Sequence, residues 1–345
     1  MASRRQISVG NLKIGGGEGI LVQTMTNSNT EDVVATLAQI EKVSNLGCDL
    51  VRVSCPTVQS TIALQEIVQR SPIPVIADIH FNYKRAIEAI DAGVAGVRIN
   101  PGNTPFEGIK EIVKASKYCG SALRIGINSG SLEKSILDKY GEPSVDAIVE
   151  SALMNCHKLE DLDFFNFKVS VKSSDVRTSI MSYRKLSKEI DYPLHIGITE
   201  AGTFFPGSIK SAIGIGSLLV DGIGDTIRVS LSSDISDEVL VGKQILKSLG
   251  LMKNSVNIVS CPTCARTLID VIGISKALED YCGSIRRSLK ISVLGCVVNG
   301  IGEAKNADIG IFGFKKGVAK IYVSGQEVDE CPDSEVVEKV KKFIN

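Results

Sequence analysis

The chain has 345 residues, 43% hydrophobic and 23% charged, enough for a barrel-sized core and a second, smaller unit. Lysine plus arginine balances aspartate plus glutamate at 39 each, which excludes a general polyanion-binding field and argues against nucleic acid as the main partner. No apolar run nears the roughly 20 residues of a membrane span, and "MASRRQISVGNLKIGGGEG" has no apolar core behind its arginines to act as a signal peptide.

In chain order, residues 4–20, with glycines at 15–17, read as a hairpin capping one end of a barrel. From residue 21 a unit recurs: a short β-branched run, a polar residue at its C-terminal end, then an amphipathic helix. The runs are "LVQTMTN" 21–27, "DLVRVSC" 49–55, "PVIADIH" 74–80, "GVRIN" 96–100, "LRIGIN" 123–128, "FKVSVK" 167–172, "LHIGITE" 194–200 and "TIRVSL" 226–231. Helical stretches between them, such as "TEDVVATLAQIEKVSNLG", repeat apolar residues at i, i+3, i+4 and end in glycine. Eight such units over ~230 residues predict a TIM (β/α)8 barrel, with a doubly wound open sheet as the alternative. After Gly250 the rhythm breaks: "VNIVSCPTC", a helix near 274–289, "LKISVLGCVVNG", "ADIGIFGF", "AKIYVSG" and a helix near 333–344. Strands now outnumber helices, so residues 1–250 are expected to form the barrel and 251–345 a small α+β sandwich.

TIM-barrel chemistry sits at the C-terminal strand ends, and this chain places Arg52, Arg98, Arg124, Lys172 and Arg228 there. Side chains two apart on a strand share a face. That pairs Arg52 with Ser54, Asp78 with His80, Arg98 with Asn100, Arg124 with Asn128 across Gly126, and Arg228 with Ser230. Five cations against Asp78 and Glu200 leave too few acids to pair them, and suit a small, highly charged phosphate-bearing ligand. Asp78 can orient His80; Glu200 is either an ion-pair partner or a proton-transfer group.

The nine cysteines are odd in number and spread along the chain, which predicts reduced cytoplasmic thiols rather than a disulfide framework. Cys48, Cys119, Cys156 and Cys282 lie in or beside helical patterns and read as buried small hydrophobes. Cys261 and Cys264 in "CPTC" and Cys296 in "VLGCVVNGIGE" stand apart, the last flanked by glycines that let backbone approach an inorganic cluster. A thioredoxin-like pair or a zinc staple are the other readings. Composition favours Cys331 in "DECPDS" as a fourth ligand, since such ligands are usually all cysteine. Glu303, seven residues after Cys296, is the other candidate, a harder and more labile ligand.

"KVSVKSSD", "LHIGITEAG", "SAIGIGSLLVDGIGDTIRVSL", "CPTCAR", "DVIG" and "GCVVNGIGEA" occur in order and together resemble the 4-hydroxy-3-methylbut-2-enyl diphosphate synthases, in their compact bacterial form. The resemblance implies a 4Fe–4S cluster held by Cys261, Cys264, Cys296 and Glu303, with Asn299 beside it. It implies a substrate, 2-C-methyl-D-erythritol 2,4-cyclodiphosphate, reduced with two electrons from flavodoxin or ferredoxin to (E)-4-hydroxy-3-methylbut-2-enyl diphosphate. Arg52, Arg98, Arg124, Lys172, Arg228 and Ser230 fall on its diphosphate-binding positions, with Asp78, His80 and Asn128 nearby. Glu200 falls on its proton-handling carboxylate. A homodimer is implied, the cluster domain of one chain covering the barrel of the other. The loop "NGIGEA" carries Ile301 where the family has proline, and is expected to be more mobile. A barrel transferase for phosphorylated or pterin-like substrates, or a non-enzymatic anion-binding scaffold, are the rival functions.

Overall fold

The structure is a computed structural model that describes residues 3–80, 82–100, 104–283 and 285–344. The chain divides after Leu251 into two compact units.

The first opens with an antiparallel hairpin, β1 (Gln6–Val9) and β2 (Leu12–Gly15). Its Ile7, Val9 and Ile14 pack on Ile76 and Ala122 at the N-terminal end of the barrel, as a capping hairpin should. The barrel strands are β3 (Leu21–Met25), β4 (Leu50–Ser54), β5 (Val75–Asp78), β6 (Gly96–Ile99), β7 (Ala122–Asn128), β8 (Phe167–Lys172), β9 (His195–Ile196) and β10 (Thr226–Ile227). They pair in parallel in the order β8-β7-β6-β5-β4-β3-β10-β9, and a bridge between Val169 and Leu194 joins the ends, so the sheet curls into a nearly closed barrel rather than an open one. The runs at 194–200 and 226–231 shrink to two paired residues each, because Gly197 and the backbone after Ile227 leave the ladder.

Around it lie α1 (Val33–Asn45), α2 (Val58–Arg70), α3 (Tyr83–Asp91), α4 (Phe106–Cys119), α5 (Lys134–Tyr140), α6 (Val145–Asp161), α7 (Val176–Leu186), α8 (Phe204–Val220) and α9 (Ile235–Ser248). The short α5 is extra to the eight-unit rhythm. In α1, Asp32 caps the helix by accepting the Ala35 N–H at 2.9 Å. Thr36, Ile40 and Val43, one turn apart, form its buried stripe. Sealing Ile40 from water stabilises the helix–barrel contact by ~2–3 kcal/mol.

The second unit is a five-stranded mixed sheet, ordered β11 (Val256–Ser260), β12 (Leu289–Leu294), β13 (Ile309–Lys315), β14 (Val318–Val323), β15 (Gln326–Pro332). Helices are α10 (Val271–Cys282), α11 (Val297–Lys305) and α12 (Val336–Ile344). Strand alternation sorts its core: Ile291, Val293, Ile309, Ile311, Ala319 and Ile321 face α10 and α12, while Leu294, Phe312 and Tyr322, of opposite parity, face α11. The expected helix near 274–289 begins three residues sooner and ends at Cys282.

Two expectations are corrected. "VVNGIGEAK" is a helix, not a mobile loop, so Ile301 and Glu303 are helical residues. Gly300 serves packing: a Cβ there would lie 2.5 Å from Phe312, so only glycine lets α11 settle on the sheet. Cys119, expected to be buried, is exposed at the last position of α4, whereas Cys48, Cys156 and Cys282 are buried.

Candidate functional site

Strand register assembles the barrel site. Directly opposed partners run Ser54–Asp78–Arg98–Arg124–Lys168 across β4 to β8. Opposed residues share a sheet face, so this row lines the buried interior. Barrel stagger carries it from the last residue of β4 down to the second residue of β8. Two inward-facing positions higher, past Gly126 and Ser170, Asn128 opposes Lys172. The predicted cations are therefore interior groups, Arg98 and Arg124 lying inside their strands rather than beyond them.

Asp78 is the anchor. It accepts a hydrogen bond from Arg98 Nη1 at 3.2 Å, and its other oxygen lies 3.5 Å from Arg52 Nε and 3.4 Å from His80 Nε2. Burial pushes its carboxyl up, but Arg52, His80, Arg98 and Arg124 outweigh that and hold it far below the ordinary carboxylate range. Arg52 also directs Nε and Nη2 at the Met25 sulfur, at 3.2 and 2.9 Å. Gly126 makes room for Arg98, since a Cβ there would sit 2.5 Å from its Nε. Gly197 makes room for Lys172, whose Nζ would lie 2.8 Å from a Cβ. Asn128, with its amide turned to satisfy both ends, accepts from Arg98 Nη2 at 3.1 Å and donates to the Ile127 carbonyl. Asn100 donates to Ser131 Oγ at 2.9 Å.

Sequence reasoning missed the second acid. Glu238, in the first turn of α9, is 4% exposed and lies 3.2 Å from Arg228 Nη2. It also accepts from Thr24 Oγ1 at 2.6 Å and from the Leu231 N–H at 3.0 Å. Its signal was there: it occupies the buried stripe with Ile235, Val239 and Gly242, where a lone carboxylate must have a partner. Ser230 is half-buried two residues past Arg228. Glu200 is exposed at a positive φ of 52°, beyond the short β9. It is a rim carboxylate, not one of the interior acids.

The balance favours an anion. Asp78 and Glu238 engage Arg52, Arg98 and Arg228, while Arg124 Nε and Nη1 and Arg98 Nε are buried without a hydrogen-bond partner. Burial, reinforced by neighbouring guanidiniums, lowers Arg124 and Lys172 well below their ordinary values and Lys168 to about 7. Burial brings Arg52 to about 10. The two interior acids therefore leave the buried basic groups short of counter-charge.

The thiol site lies in the second unit. Cys261 follows β11, and Cys296 is the N-cap of α11. The Gly295 N–H donates to Cys261 Sγ at 3.1 Å, the Cys261 N–H to the Val293 carbonyl and the Leu268 N–H to the Gly295 carbonyl. These bonds staple the two cysteine loops together. A Cβ at Gly295 would meet Thr267 at 3.0 Å, so the flanking glycine serves loop-on-loop packing. Cys264 is exposed, its N–H held by Thr267 Oγ1 at 3.0 Å, and backbone hydrogen bonding from Arg266 lowers its thiol. Among the described residues no three His, Cys, Asp or Glu converge on a point that would hold a single metal ion.

Glu303 lies seven residues along α11 from Cys296, on the same helical face and ~10 Å higher. It is half-exposed, 3.8 Å from Lys290 Nζ. Asn299 is exposed on the first turn. Cys331, the composition-based choice for a fourth ligand, is corrected: it is 3% exposed in the core of β15, at the opposite edge of the sheet from β11. Four strand spacings put it ~19 Å away, and burial raises its thiol.

A barrel with an anion-seeking interior, followed by an α+β unit bearing loop thiols, defines a phosphate-handling barrel protein with a candidate metal-cluster domain. Sequence models of two domains match: the GcpE TIM-barrel domain over residues 4–243 and the GcpE protein C-terminal domain over 257–345. The chain belongs to the GcpE family. It is 52% identical to the 4-hydroxy-3-methylbut-2-en-1-yl diphosphate synthase (flavodoxin) of Zymomonas mobilis, over 99% of this chain and 90% of that one. The enzyme of the same name from Shouchella clausii is 49% identical, over 99% and 93%. Among solved structures, N-acetylneuraminic acid synthetase from Leptospira borgpetersenii superposes with a TM-score of 0.51 at 13% identity, covering 83% of this chain and 99% of that one. That likeness shows the fold alone.

Proposed function

We propose that the chain is an iron–sulfur oxidoreductase that opens 2-C-methyl-D-erythritol 2,4-cyclodiphosphate reductively to (E)-4-hydroxy-3-methylbut-2-enyl diphosphate, with loss of water. The observation that carries this reading is the surplus of buried basic groups: among the described residues Arg124 and Lys172 make no ion pair with a carboxylate, in a barrel interior that a doubly charged cyclic diphosphate would neutralise. Arg52, Arg98, Arg124, Lys172, Arg228 and Ser230 bind its phosphate oxygens. Asp78 and Glu238 hold the arginine forks in place, and His80, Asn100 and Asn128 line the approach. Held rigidly by strands, these cations stabilise the substrate without reorganising. Glu200, exposed on the rim, delivers a proton to the departing hydroxyl oxygen so that it leaves as water.

The donor set fits a cluster. Three accessible thiols sit on loops stapled together, and one already receives a backbone N–H of the kind that tunes cluster sulfurs. Cys261, Cys264, Cys296 and Glu303 would hold a 4Fe–4S cluster, with Asn299 beside it. When bound, that group supplies two electrons, received from reduced flavodoxin or ferredoxin.

We infer a homodimer, and the apolar face of α8 supports that reading. Phe204, Phe205, Ile209 and Ile213 are exposed along it, and a groove of about 420 Å³ runs between α8 and α9. Among the described residues no helix is long and apolar enough to cross a membrane, and the enzyme works in the cytoplasm. Anaerobic incubation of iron-loaded protein with the cyclodiphosphate and a reduced donor tests the function, the product being identified by NMR. Consumption that yields the hydroxylated butenyl diphosphate is expected; unchanged substrate contradicts it. Glu200→Gln keeps the iron–sulfur spectrum and lowers turnover; full turnover removes Glu200 from the mechanism.

A further inference from the structure

Beneath Lys172 the barrel interior holds a second polar chain, away from the diphosphate-facing groups. His195 is fully buried, its Nε2 3.4 Å from Lys172 Nζ and its Nδ1 2.8 Å from Thr226 Oγ1. Thr226 Oγ1 in turn lies 3.4 Å from Lys168 Nζ, itself 2% exposed. Gln23, on the inward parity of β3 two residues below Met25, is 1% exposed with both amide atoms unpartnered. We propose that Lys168, Thr226 and His195 form a buried hydrogen-bonded chain that positions Lys172 and lets the barrel take up protons as it binds a diphosphate. The inference rests on the anion-binding reading of the barrel.

Charge counting gives the reason. Arg52 on β4, Arg98 on β6, Arg124 on β7 and Arg228 after β10 are permanently cationic. Facing them are Asp78 on β5 and Glu238 on α9, and Asp225, next to Thr226, faces Lys168. Tyr183 on α7 donates a hydrogen bond from its hydroxyl to the His195 carbonyl and accepts one from the Val171 N–H, so it adds no charge. Two lysines and a histidine placed among four guanidiniums shed protons: Lys168 falls to about 7, and Lys172 and His195 drop well below their ordinary values. His195 is therefore a neutral imidazole. Its Nε2 faces Lys172 Nζ and its Nδ1 faces the Thr226 hydroxyl, so both ring nitrogens are engaged within the chain. An anion bound above reverses the field and draws protons back onto the lysines. Lys168, two inward-facing positions below Lys172, stores a charge out of the ligand's reach. These are positioning residues rather than catalytic ones.

The cyclodiphosphate is the probe, because its ring phosphates have no proton to exchange near neutral pH. Titration calorimetry of cluster-loaded protein without reductant, at pH 8 in tris and in HEPES, counts protons through the buffers' different ionisation enthalpies. Wild type should take up about one proton or more per site, with affinity falling as pH rises from 7 to 9. Lys168→Met, matched in volume, should take up measurably less. Where it fails to fold, Thr226→Val removes only the hydroxyl that steadies the Lys168 charge and should lower the uptake too. Binding with no proton uptake, or undiminished uptake in a folded variant, overturns the chain alone. No binding by wild type overturns the anion-site reading and this inference with it.

Discussion

The barrel and the small α+β unit hold their candidate chemistry in opposite ways. In the barrel Arg52, Arg98, Arg124 and Lys172 are buried strand residues, and Asp78 and Glu238 hold Arg52, Arg98 and Arg228 in place. In the small unit Cys261, Cys264 and Cys296 stand on loops or a helix cap, at least partly accessible, with backbone amides donating to Cys261 and Cys264. The first arrangement is a preformed site that stores electrostatic stress until an anion arrives. The second is a cradle that an inorganic group completes. Preorganised charge belongs on strands, and a labile cofactor belongs where loops adjust.

That contrast can be broken from either side. The largest effect is expected at the thiols: Cys264→Ser should cost more than about 100-fold in turnover, with iron and sulfide content falling in parallel while the calorimetric affinity for the cyclodiphosphate holds. Arg124→Ala should do the reverse, keeping iron content and weakening substrate binding by ~10–100-fold, about the 1.4–2.7 kcal/mol of a charge-assisted contact, read as a raised KM.

A third test is thermodynamic. The buried Lys168 ammonium titrates at about 7 in the folded chain and near 10.4 when unfolded. The unfolded chain then binds more protons between those values, so this group makes stability rise with pH across that window, and its cost is fully present below about 7. Lys168→Met should therefore raise Tm at pH 6 and lose most of that gain by pH 10, as followed by thermal melts. The smallest effect belongs to Cys331→Ala: a loss of ~1 kcal/mol from a small core cavity, with iron content unchanged. Iron loss there would restore Cys331 as a ligand.

The barrel was legible because period and parity suffice for it. Alternation placed Arg52, Asp78, Arg98 and Arg124 on one face, and the register opposes Asp78, Arg98 and Arg124 across neighbouring strands. Glu238 was not, because it comes from a helix and was hidden by reading the acids from strand ends alone. Lys168 shares the inward parity of Lys172 in "FKVSVK", yet a strand-end rule stops at the last residue and misses the inward-facing positions below. In the small unit the three thiols were legible from "CPTC" and "LGC". The helix α11 was not, since "NGIGEA" carries two glycines that ordinarily weaken helices, of which Gly300 here allows close contact with Phe312. Cys331 misled because composition says nothing about which edge of a sheet a strand occupies.

The most direct test of the whole account is anaerobic single turnover across preparations carrying graded amounts of iron. Each is mixed with the cyclodiphosphate and reduced flavodoxin, and product is quantified against iron content. Product rising in proportion to iron, and absent in Cys264→Ser at equal substrate occupancy, is the predicted result. Product from iron-free protein, or none from protein fully loaded with iron and substrate, would contradict it.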